Sequence, residues 1–183
     1  MTVQTPFRGP SMPAIVPWSD DLGTRVFDDL DENDMAEAMI DRGAAVSSRG
    51  LWADWRATRG TRLLDVIAVS TVRRGCKPFA VFAVAHSGRA GVGDVALLTR
   101  HVPDWRMEIG RLAAGLRIAV PAFCADLGIH RLEARSWTGH PTGGRLLVAC
   151  GFPVECRLHG FGPDGRETFD QHAWTTAGDQ TCA

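Results

Sequence analysis

The 183-residue sequence contains no tyrosine and only one lysine, Lys77, so arginine supplies nearly all of its positive charge. It has no run of about 20 apolar residues, the length that a membrane-spanning helix needs. Residues 1–17 contain a single basic residue, Arg8, and no apolar stretch, so they lack the composition of a signal peptide. These absences predict a soluble protein of the cytoplasm without a membrane partner.

Opposite charges nearly cancel, with 20 Lys and Arg against 21 Asp and Glu, so we expect no nucleic-acid partner. The five cysteines are odd in number and irregularly spaced, without a CxxC pair, which is typical of reduced thiols in a cytosolic protein. The six histidines show no HExxH-like spacing. We therefore expect no metal site.

The composition divides the chain into three parts. Residues 1–20 are predicted to form an extended arm that lies across the domain or reaches a neighbour, because prolines interrupt any regular element there: Pro6, Pro10, Pro13 and Pro17. Residues 21–176 are predicted to form a single domain, a normal size for one hydrophobic core. Residues 177–183 form a loose tail.

The first half of the domain predicts a strand, two helices and a strand meander. Arg25–Leu30 is predicted as the strand, Asp31 as the cap of a helix that stops at Gly43, and residues 50–58 as a second helix. Three runs rich in β-branched and aromatic residues then predict antiparallel strands, because only short turns such as Arg74-Gly75 separate them: Leu63–Val72, Pro78–His86 and Val92–Thr99.

A long amphipathic segment, Asp104–Leu127, predicts a helix that Pro121 kinks or shortens and Gly128 ends. His130–Trp137 is the next strand. A strand, long helix and strand in this order must form a right-handed parallel crossover. The sheet is therefore mixed, and the two parallel strands should diverge to admit a ligand.

The last third predicts a helix over Pro141–Ala149, with Pro141 at its first position and Gly151 after its end. Two strands follow, Val154–Phe161 and Glu167–Trp174. Residues 162–165 (GPDG) between them are a strong hairpin signal.

One stretch carries a family resemblance: LGIHRLEARSWTGHPTGGRLLVACGF, residues 127–152. It resembles the GNAT family of N-acetyltransferases, whose matching positions are occupied here by Pro141, Arg145, Leu146, Gly151 and Phe152. The resemblance covers about residues 25–174. It implies an α/β (α+β) GNAT fold, which is a mixed, mostly antiparallel sheet with one parallel β-α-β step flanked by helices. It also implies transfer of an acyl group from acetyl-CoA to an amine.

The resemblance also assigns a cofactor site. GNAT proteins bind the CoA pyrophosphate with a glycine-rich loop that opens the long helix, and here Arg106, Ile109, Gly110 and Arg111 match its two ends. Met107 and Glu108 replace the glycines between them, and a carboxylate there would repel phosphate. Backbone groups of the residues that end the third meander strand would hold the pantetheine arm: Leu97, Leu98 and Thr99.

Two residues are candidates for catalysis. Glu133 lies mid-strand and could act as a general base, or it could simply pair with Arg131 or Arg135. His140 stands where the family has asparagine, and it could bind the acyl carbonyl or CoA, act as an acid, or cap the following helix. Leu147 replaces the family's tyrosine general acid, so water or His140 would have to supply that proton.

Two functions are consistent with these residues. One is an acyl-CoA-dependent N-acyltransferase that acts on a small-molecule or protein amine. The alternative is a non-catalytic GNAT-like building block that binds copies of itself or other virion proteins. Short segments support it by their loose resemblance to phage-encoded GNAT-like proteins: GCKPFAVF at residues 75–82 and GP.G...F at residues 162–169.

Overall fold

The computed structural model of the protein describes residues 12–43, 45–71 and 77–176. This part of the chain contains seven strands and five α-helices. The strands are β1 (Ala14–Pro17), β2 (Arg62–Val69), β3 (Pro78–His86), β4 (Val92–Thr99), β5 (Arg131–Trp137), β6 (Val154–Phe161) and β7 (Glu167–Thr175). The helices are α1 (Asp20–Phe27), α2 (Glu32–Arg42), α3 (Ser48–Ala57), α4 (Val102–Leu127) and α5 (Gly143–Ala149).

All seven strands belong to one sheet, in the order β1-β2-β3-β4-β5-β7-β6. Strands β2, β3 and β4 form the predicted antiparallel meander, and β6 and β7 form the predicted hairpin. Strands β4 and β5 pair in parallel, with α4 as the crossover between them. The predicted mixed sheet with one parallel step is therefore confirmed.

The prediction of a strand at Arg25–Leu30 was wrong, because Asp20–Phe27 forms α1 instead. Val26 and Phe27 gave the segment a strand-like appearance, but both are buried against the sheet on one face of a helix. The first strand lies earlier, within the predicted extended arm, where Ala14–Pro17 pairs antiparallel with β2. Residues 1–11 of the arm, the turn at Arg74-Gly75 and the tail 177–183 lie outside the described residues.

Helix ends follow local chemistry in most places. Asp31 caps α2 by accepting a hydrogen bond from the Asn33 N–H, and Gly43 ends it with a φ of 64°. Helix α4 ends at Gly128 as predicted and runs through Pro121 without interruption. Helix α5 begins at Gly143, so the prediction of Pro141 at its first position was wrong; His140 explains the difference, as described below.

Buried side chains form two clusters, one on each face of the sheet. The larger one packs α4 and α5 against β3 and β5, with Leu112, Leu132 and Phe152 at its centre. The smaller one packs α1 and α3 against β2 and β3, with Phe27 and Trp55 at its centre. Within the described residues, no helix is long and apolar enough to cross a membrane.

The parallel pairing is short. It covers only Val92–Asp94 against Arg131–Glu133, and beyond these residues β4 and β5 diverge. Both strands continue for several residues, so their facing edges enclose a wedge-shaped gap in the sheet. This gap is the divergence that the strand order predicted.

We predict that Gly93 is required for this pairing. A Cβ atom at Gly93 would lie 2.9 Å from Leu132 Cδ2, 3.0 Å from Val84 Cγ1 and 3.2 Å from the Ala85 carbonyl oxygen. Gly93→Ala should therefore lower the free energy of unfolding by roughly 1–3 kcal/mol through overpacking, as measured by urea denaturation. Gly60→Ala is the control, because a Cβ atom there meets nothing within 4 Å. Equal stabilities of the two variants would contradict the prediction.

Candidate functional site

A cleft of about 580 Å³ passes through the sheet at the gap between β4 and β5. On one face of the sheet it is bounded by α2 and α3, with Asp54 and Trp55 on its wall. On the other face it reaches α5, with Leu146 and Leu147 on its wall. Because its walls come from both faces of the sheet, the cleft can bind two ligands, one from each face, whose ends approach each other between β4 and β5.

Helix α2 closes the wide end of the gap with two carboxylates, Asp34 and Glu37. These side chains lie three residues apart, so they share one helix face. Asp34 Oδ2 accepts a hydrogen bond of 2.8 Å from the Thr99 N–H at the end of β4. Glu37 lies near the Trp137 N–H at the end of β5, which favours its ionised form. The helix thus supplies partners for both diverging strand edges.

His140 joins Asp34 to α5. Its Nε2 lies 3.0 Å from Asp34 Oδ1, while its Nδ1 lies 3.0 Å from the Gly143 nitrogen and 3.3 Å from that of Thr142. Because main-chain N–H groups can only donate, Nδ1 accepts, and the ring donates its Nε2 proton to Asp34. The ring thus caps α5 two residues after Pro141, as the capping alternative expected, and both of its nitrogens are engaged.

Burial sets the proton affinities of this cluster. Burial raises the pKa of Asp34 above its usual value, although hydrogen bonds from His140 and Thr99 oppose the rise. Burial alone would lower the pKa of His140, but the hydrogen bond and charge of Asp34 outweigh it and raise that pKa. Asp34 and His140 are therefore coupled, and the hydrogen bond between them holds both side chains in place.

Glu37 is the group best poised for proton transfer near neutral pH. Burial raises the pKa of its carboxyl group to about 7, and the neighbouring charges of Asp34 and Asp41 add to the rise. The Trp137 N–H and His140 oppose it to a smaller extent. A carboxylate with this pKa is a stronger base than an ordinary glutamate and is still ionised in half of the molecules at pH 7.

Glu133 lies on the cleft wall as predicted, but it is tightly paired. Its Oε1 accepts from Arg131 Nε at 2.6 Å and its Oε2 from Arg89 at 2.6 Å. These bonds hold the pKa of Glu133 below its usual value. A carboxylate stabilised in this way is a weak base, so its geometry matches the ion-pair alternative better than that of a general base.

Carboxylates outnumber guanidinium groups along the cleft. Six acidic side chains line it, namely Asp34, Glu37, Asp41, Asp54, Asp94 and Glu133, against three basic ones, Arg42, Arg62 and Arg135. Arg42 is itself paired with Asp54. Charges enclosed by protein are screened less than charges in water. Glu133 is likewise paired with Arg89 and Arg131, so the acidic excess lies on α2, where it favours a cationic ligand.

The predicted pantetheine-binding residues meet at the cleft, but one of them is occupied. Leu97, Leu98 and Thr99 all line it. The Thr99 carbonyl accepts from the Asp31 N–H at 2.9 Å, while its N–H donates to Asp34. Since main-chain groups alternate along a strand, Leu97 presents its own N–H and carbonyl to the same gap edge. Leu97 is thus the residue whose main chain could hold an amide-containing arm.

The residues predicted to bind pyrophosphate, at the opening of the long helix, lie within that helix. Only Arg100 and His101 link β4 to α4, and Trp105–Arg111 lies entirely within α4. Ile109 is buried in the core, Arg106 and Gly110 are exposed, and none of the four matching residues lines the cleft. Positions 107 and 108 are occupied by Met107 and Glu108, which are compatible with a continuous helix from Val102.

Glu108, which was expected to face phosphate, is buried beside Ser70 at the end of β2, with 3.5 Å between Ser70 Oγ and Glu108 Oε1. It does not line the cleft. Arg106 and Arg111 remain the basic groups on the first turns of α4. A phosphate group would have to rely on these side chains rather than on a main-chain cradle.

Sequence reasoning missed several residues of the site. Asp34 and Glu37 are not among the candidates from the sequence, although their three-residue spacing in the predicted helix places them together. Ser136 and His172 were not singled out, yet Ser136 lines the cleft and its Oγ lies 2.9 Å from His172 Nε2. Leu147, which replaces the tyrosine of the resemblance, lies on the same wall. Within the described residues, no group of three His, Cys, Asp or Glu side chains could hold a metal ion.

No protein-family model matches the sequence, and no curated protein matches it. Solved structures match the fold. The GNAT-family acetyltransferase from Bacillus anthracis aligns with a TM-score of 0.66 and 11% identity, over 90% of this chain and 97% of that one. Ribosomal-protein-S5-alanine acetyltransferase from Vibrio fischeri aligns with a TM-score of 0.60 and 10% identity, over 90% of this chain and 93% of that one.

A GNAT-superfamily phosphinothricin acetyltransferase from Sinorhizobium meliloti was solved in complex with acetyl-CoA. It aligns with a TM-score of 0.61 and 12% identity, over 94% of this chain and 95% of that one. Because the identities are low, these likenesses establish the fold alone. The chain has the GNAT fold, as the resemblance implied. The solved structures named here give no support to the resemblance to phage proteins.

We predict that Glu37 makes stability depend on pH. Its pKa is about 7 in the folded protein and about 4.5 when exposed, so the folded state binds more protons between these values and loses stability as pH rises through them. Glu37→Gln should therefore be about 1–3 kcal/mol more stable than the wild type at pH 8 and nearly equal to it at pH 4.5, as measured by urea denaturation.

Glu32→Gln is the control, because Glu32 lies on the same helix with its side chain exposed. It removes the same charge without relieving burial. A Glu37→Gln variant that is less stable than the wild type at pH 8 would contradict the assignment of a desolvated carboxylate.

Proposed function

We propose that the protein is an acyl-CoA-dependent N-acyltransferase whose acceptor is a cationic amine. The observation that supports it best is the carboxylate-lined cleft through the sheet, with Glu37 on its wall and a pKa near 7. An amine is protonated at neutral pH and must lose a proton before it can attack a carbonyl. A site that attracts the ammonium form and contains a base of matched pKa meets both needs.

In this proposal the acidic side chains draw the ammonium group into the α2–α3 end of the cleft. Glu37 accepts the proton of the ammonium group, and the neutral nitrogen attacks the acyl carbonyl carbon. Asp34 and His140 act indirectly, because they fix α2 against β4 and α5 and so hold Glu37 at the gap. Closing the site by these contacts also excludes water from the reacting groups.

The residues fit acetyl-CoA in part. Acetyl-CoA would supply a thioester, which is an activated acyl group with a good leaving group. The Leu97 main chain suits the amides of its arm, and the apolar side chains of Leu146 and Leu147 suit its methylene groups. Arg106 and Arg111 could pair with its phosphates outside the cleft, whereas the two-residue link before α4 leaves no glycine-rich cradle.

That missing cradle favours a second candidate, a GNAT-fold protein without catalytic activity that serves as a structural or virion-associated component. In this case the Thr99 main-chain groups are bonded to Asp31 and Asp34 because no cofactor uses them. The Glu37 carboxylate would then be a residue of a disused cleft. Cofactor binding separates the two candidates directly.

We predict that the wild-type protein binds acetyl-CoA in a calorimetric titration and releases CoA thiol in the presence of amines. A diamine should be a better acceptor than an amino acid with an acidic side chain, because carboxylates line the cleft. Glu37→Gln should lower kcat/KM by about 100-fold or more and abolish the rise in kcat/KM through pH 7. Glu32→Gln should leave kcat/KM and its pH dependence unchanged.

The opposite result is equally clear. If acetyl-CoA at millimolar concentration gives no heat of binding and no amine is acylated, the catalytic proposal fails and the structural candidate stands. Acylation with a preference for acidic acceptors would retain an enzyme but overturn the cationic substrate class.

A further inference from the structure

Ser136 and His172 form a buried hydroxyl–imidazole pair that the proposed function does not use. Ser136 lies on β5 and His172 on the adjacent strand β7, with 2.9 Å between Ser136 Oγ and His172 Nε2. The other ring nitrogen, Nδ1, lies 3.0 Å from the Phe152 carbonyl oxygen. His172 is 0% exposed and Ser136 is 3% exposed.

The hydrogen bonds determine which atom donates. A carbonyl oxygen can only accept, so His172 Nδ1 bears the proton and donates it to Phe152. In the neutral ring Nε2 then has a free lone pair, and the Ser136 hydroxyl must donate to it. A hydroxyl that donates to an imidazole, which in turn is oriented by a third group, is the arrangement that activates a serine nucleophile.

Ser136 lines the cleft in which the proposed function places the acyl donor. Ser136 lines the cleft beyond the point where β4 and β5 diverge, between the apolar wall of Leu146 and Leu147 and the strand edge that binds Glu37. The main-chain N–H of the next residue, Trp137, interacts with the Glu37 carboxylate of α2. The Ser136 hydroxyl and the general base of the proposed function therefore lie beside consecutive residues of β5.

Helix α5 approaches this pair closely because of a glycine. A Cβ atom at Gly144 would lie 3.2 Å from Ser136 Oγ and 3.6 Å from His172 Nε2. The hydroxyl is thus confined between the helix backbone and the imidazole, which fixes its direction. Confinement in a productive geometry is what a nucleophile needs, since little entropy is then lost on reaction.

We propose that Ser136 is a nucleophile that accepts the acyl group covalently, with His172 as its base. Ser136 Oγ bonds to the carbonyl carbon of the acyl donor while the hydroxyl proton moves to His172 Nε2. The bond between that carbon and the leaving group then breaks, and the departing atom, the sulfur of a thioester or the oxygen of an ester, takes the proton from Nε2. The product is an acyl ester on Ser136.

The second half of the reaction restores the serine. The amine nitrogen, neutral after Glu37 has taken its ammonium proton, bonds to the acyl carbon and gives one further proton to Nε2. The bond between carbon and Oγ breaks, and Nε2 returns the proton to Oγ. This second half and the identity of the donor as acyl-CoA rest on the proposed function, whereas the reactivity of Ser136 does not.

Two acyl donors test the reactivity of Ser136 separately from the use of acyl-CoA. The full-length protein is incubated with p-nitrophenyl acetate, an activated ester that needs no CoA site, and in parallel with acetyl-CoA. Each reaction is quenched in acid, the protein mass is measured, and peptide mapping locates any acetyl group. We expect one acetyl group on Ser136 with both donors, and p-nitrophenol release in a burst of one equivalent.

Three variants test the pair. Ser136→Ala should lose the adduct. His172→Gln, which can still donate to the Phe152 carbonyl, should lower the rate of acylation by about 100-fold or more. Gly144→Ala should lower it without removing either group. Ser87→Ala is the matched control and should behave as the wild type, because the Ser87 hydroxyl donates only to the main chain, at the Val92 carbonyl oxygen. Circular dichroism checks that each variant is folded.

Every outcome is informative. An adduct from the ester but not from acetyl-CoA supports the nucleophile and counts against the CoA-dependent function. The nucleophile is overturned if acetyl-CoA acetylates amines while neither donor leaves an adduct on Ser136 and Ser136→Ala is fully active. The proposed function stands in that case. Acetylation at another residue, or an unchanged rate in folded His172→Gln, also overturns the nucleophile, and the pair is then a structural hydrogen bond.

Discussion

The structure depends on how two diverging strand edges find hydrogen-bond partners. Where β4 and β5 separate, each leaves main-chain groups that would otherwise face an open gap in the sheet. An unpaired main-chain group out of contact with water costs free energy comparable to a lost hydrogen bond. Asp34, on α2, accepts from the Thr99 N–H at the end of β4, and Glu37, on the same face of α2, interacts with the Trp137 N–H at the end of β5, so one helix engages the ends of both edges.

Using carboxylates for this purpose has a chemical consequence. A carboxylate that is taken out of water favours its protonated form, and burial accordingly raises the pKa of both side chains. His140 lessens the effect at Asp34 by donating to it, but its ring is committed to the cap of α5 and does not reach Glu37 by a hydrogen bond. Glu37 is thus the group whose proton is exchangeable near neutral pH. The contact that closes the sheet is also the one that makes the cleft reactive.

In the long helix α4, regular structure removes a binding feature instead of creating one. In α4 a continuous helix over Trp105–Arg111 replaces a loop, and the buried pair of Ser70 and Glu108 packs it onto the sheet. Regular hydrogen bonding within α4 engages the N–H groups of Trp105–Arg111 that a phosphate would need. Side chains of α4 can still attract phosphate by charge, although without the directional bonds of a main-chain site.

Local sequence determined the elements whose cause is local. The strands Pro78–His86 and Val92–Thr99, the cap at Asp31 and the stops at Gly43 and Gly128 were predicted correctly, because turn chemistry, capping and periodicity act over a few residues. The parallel step also followed from the sequence, since a strand, long helix and strand leave no other connection. The resemblance over residues 127–152 supplied the fold as a whole.

Tertiary structure decided the rest. Ala14–Pro17 is a strand because β2 offers an edge to the arm, a contact about 50 residues away that no local pattern contains. Asp20–Phe27 is a helix whose Val26 and Phe27 pack against β2 and β3. The partners of Asp34, Glu37, Glu133 and Ser136 lie on other elements, and a carboxylate becomes a base or a mere ion-pair partner according to what packs around it. Residue type was readable from the chain, but proton affinity was not, because burial and partner distance exist only after folding.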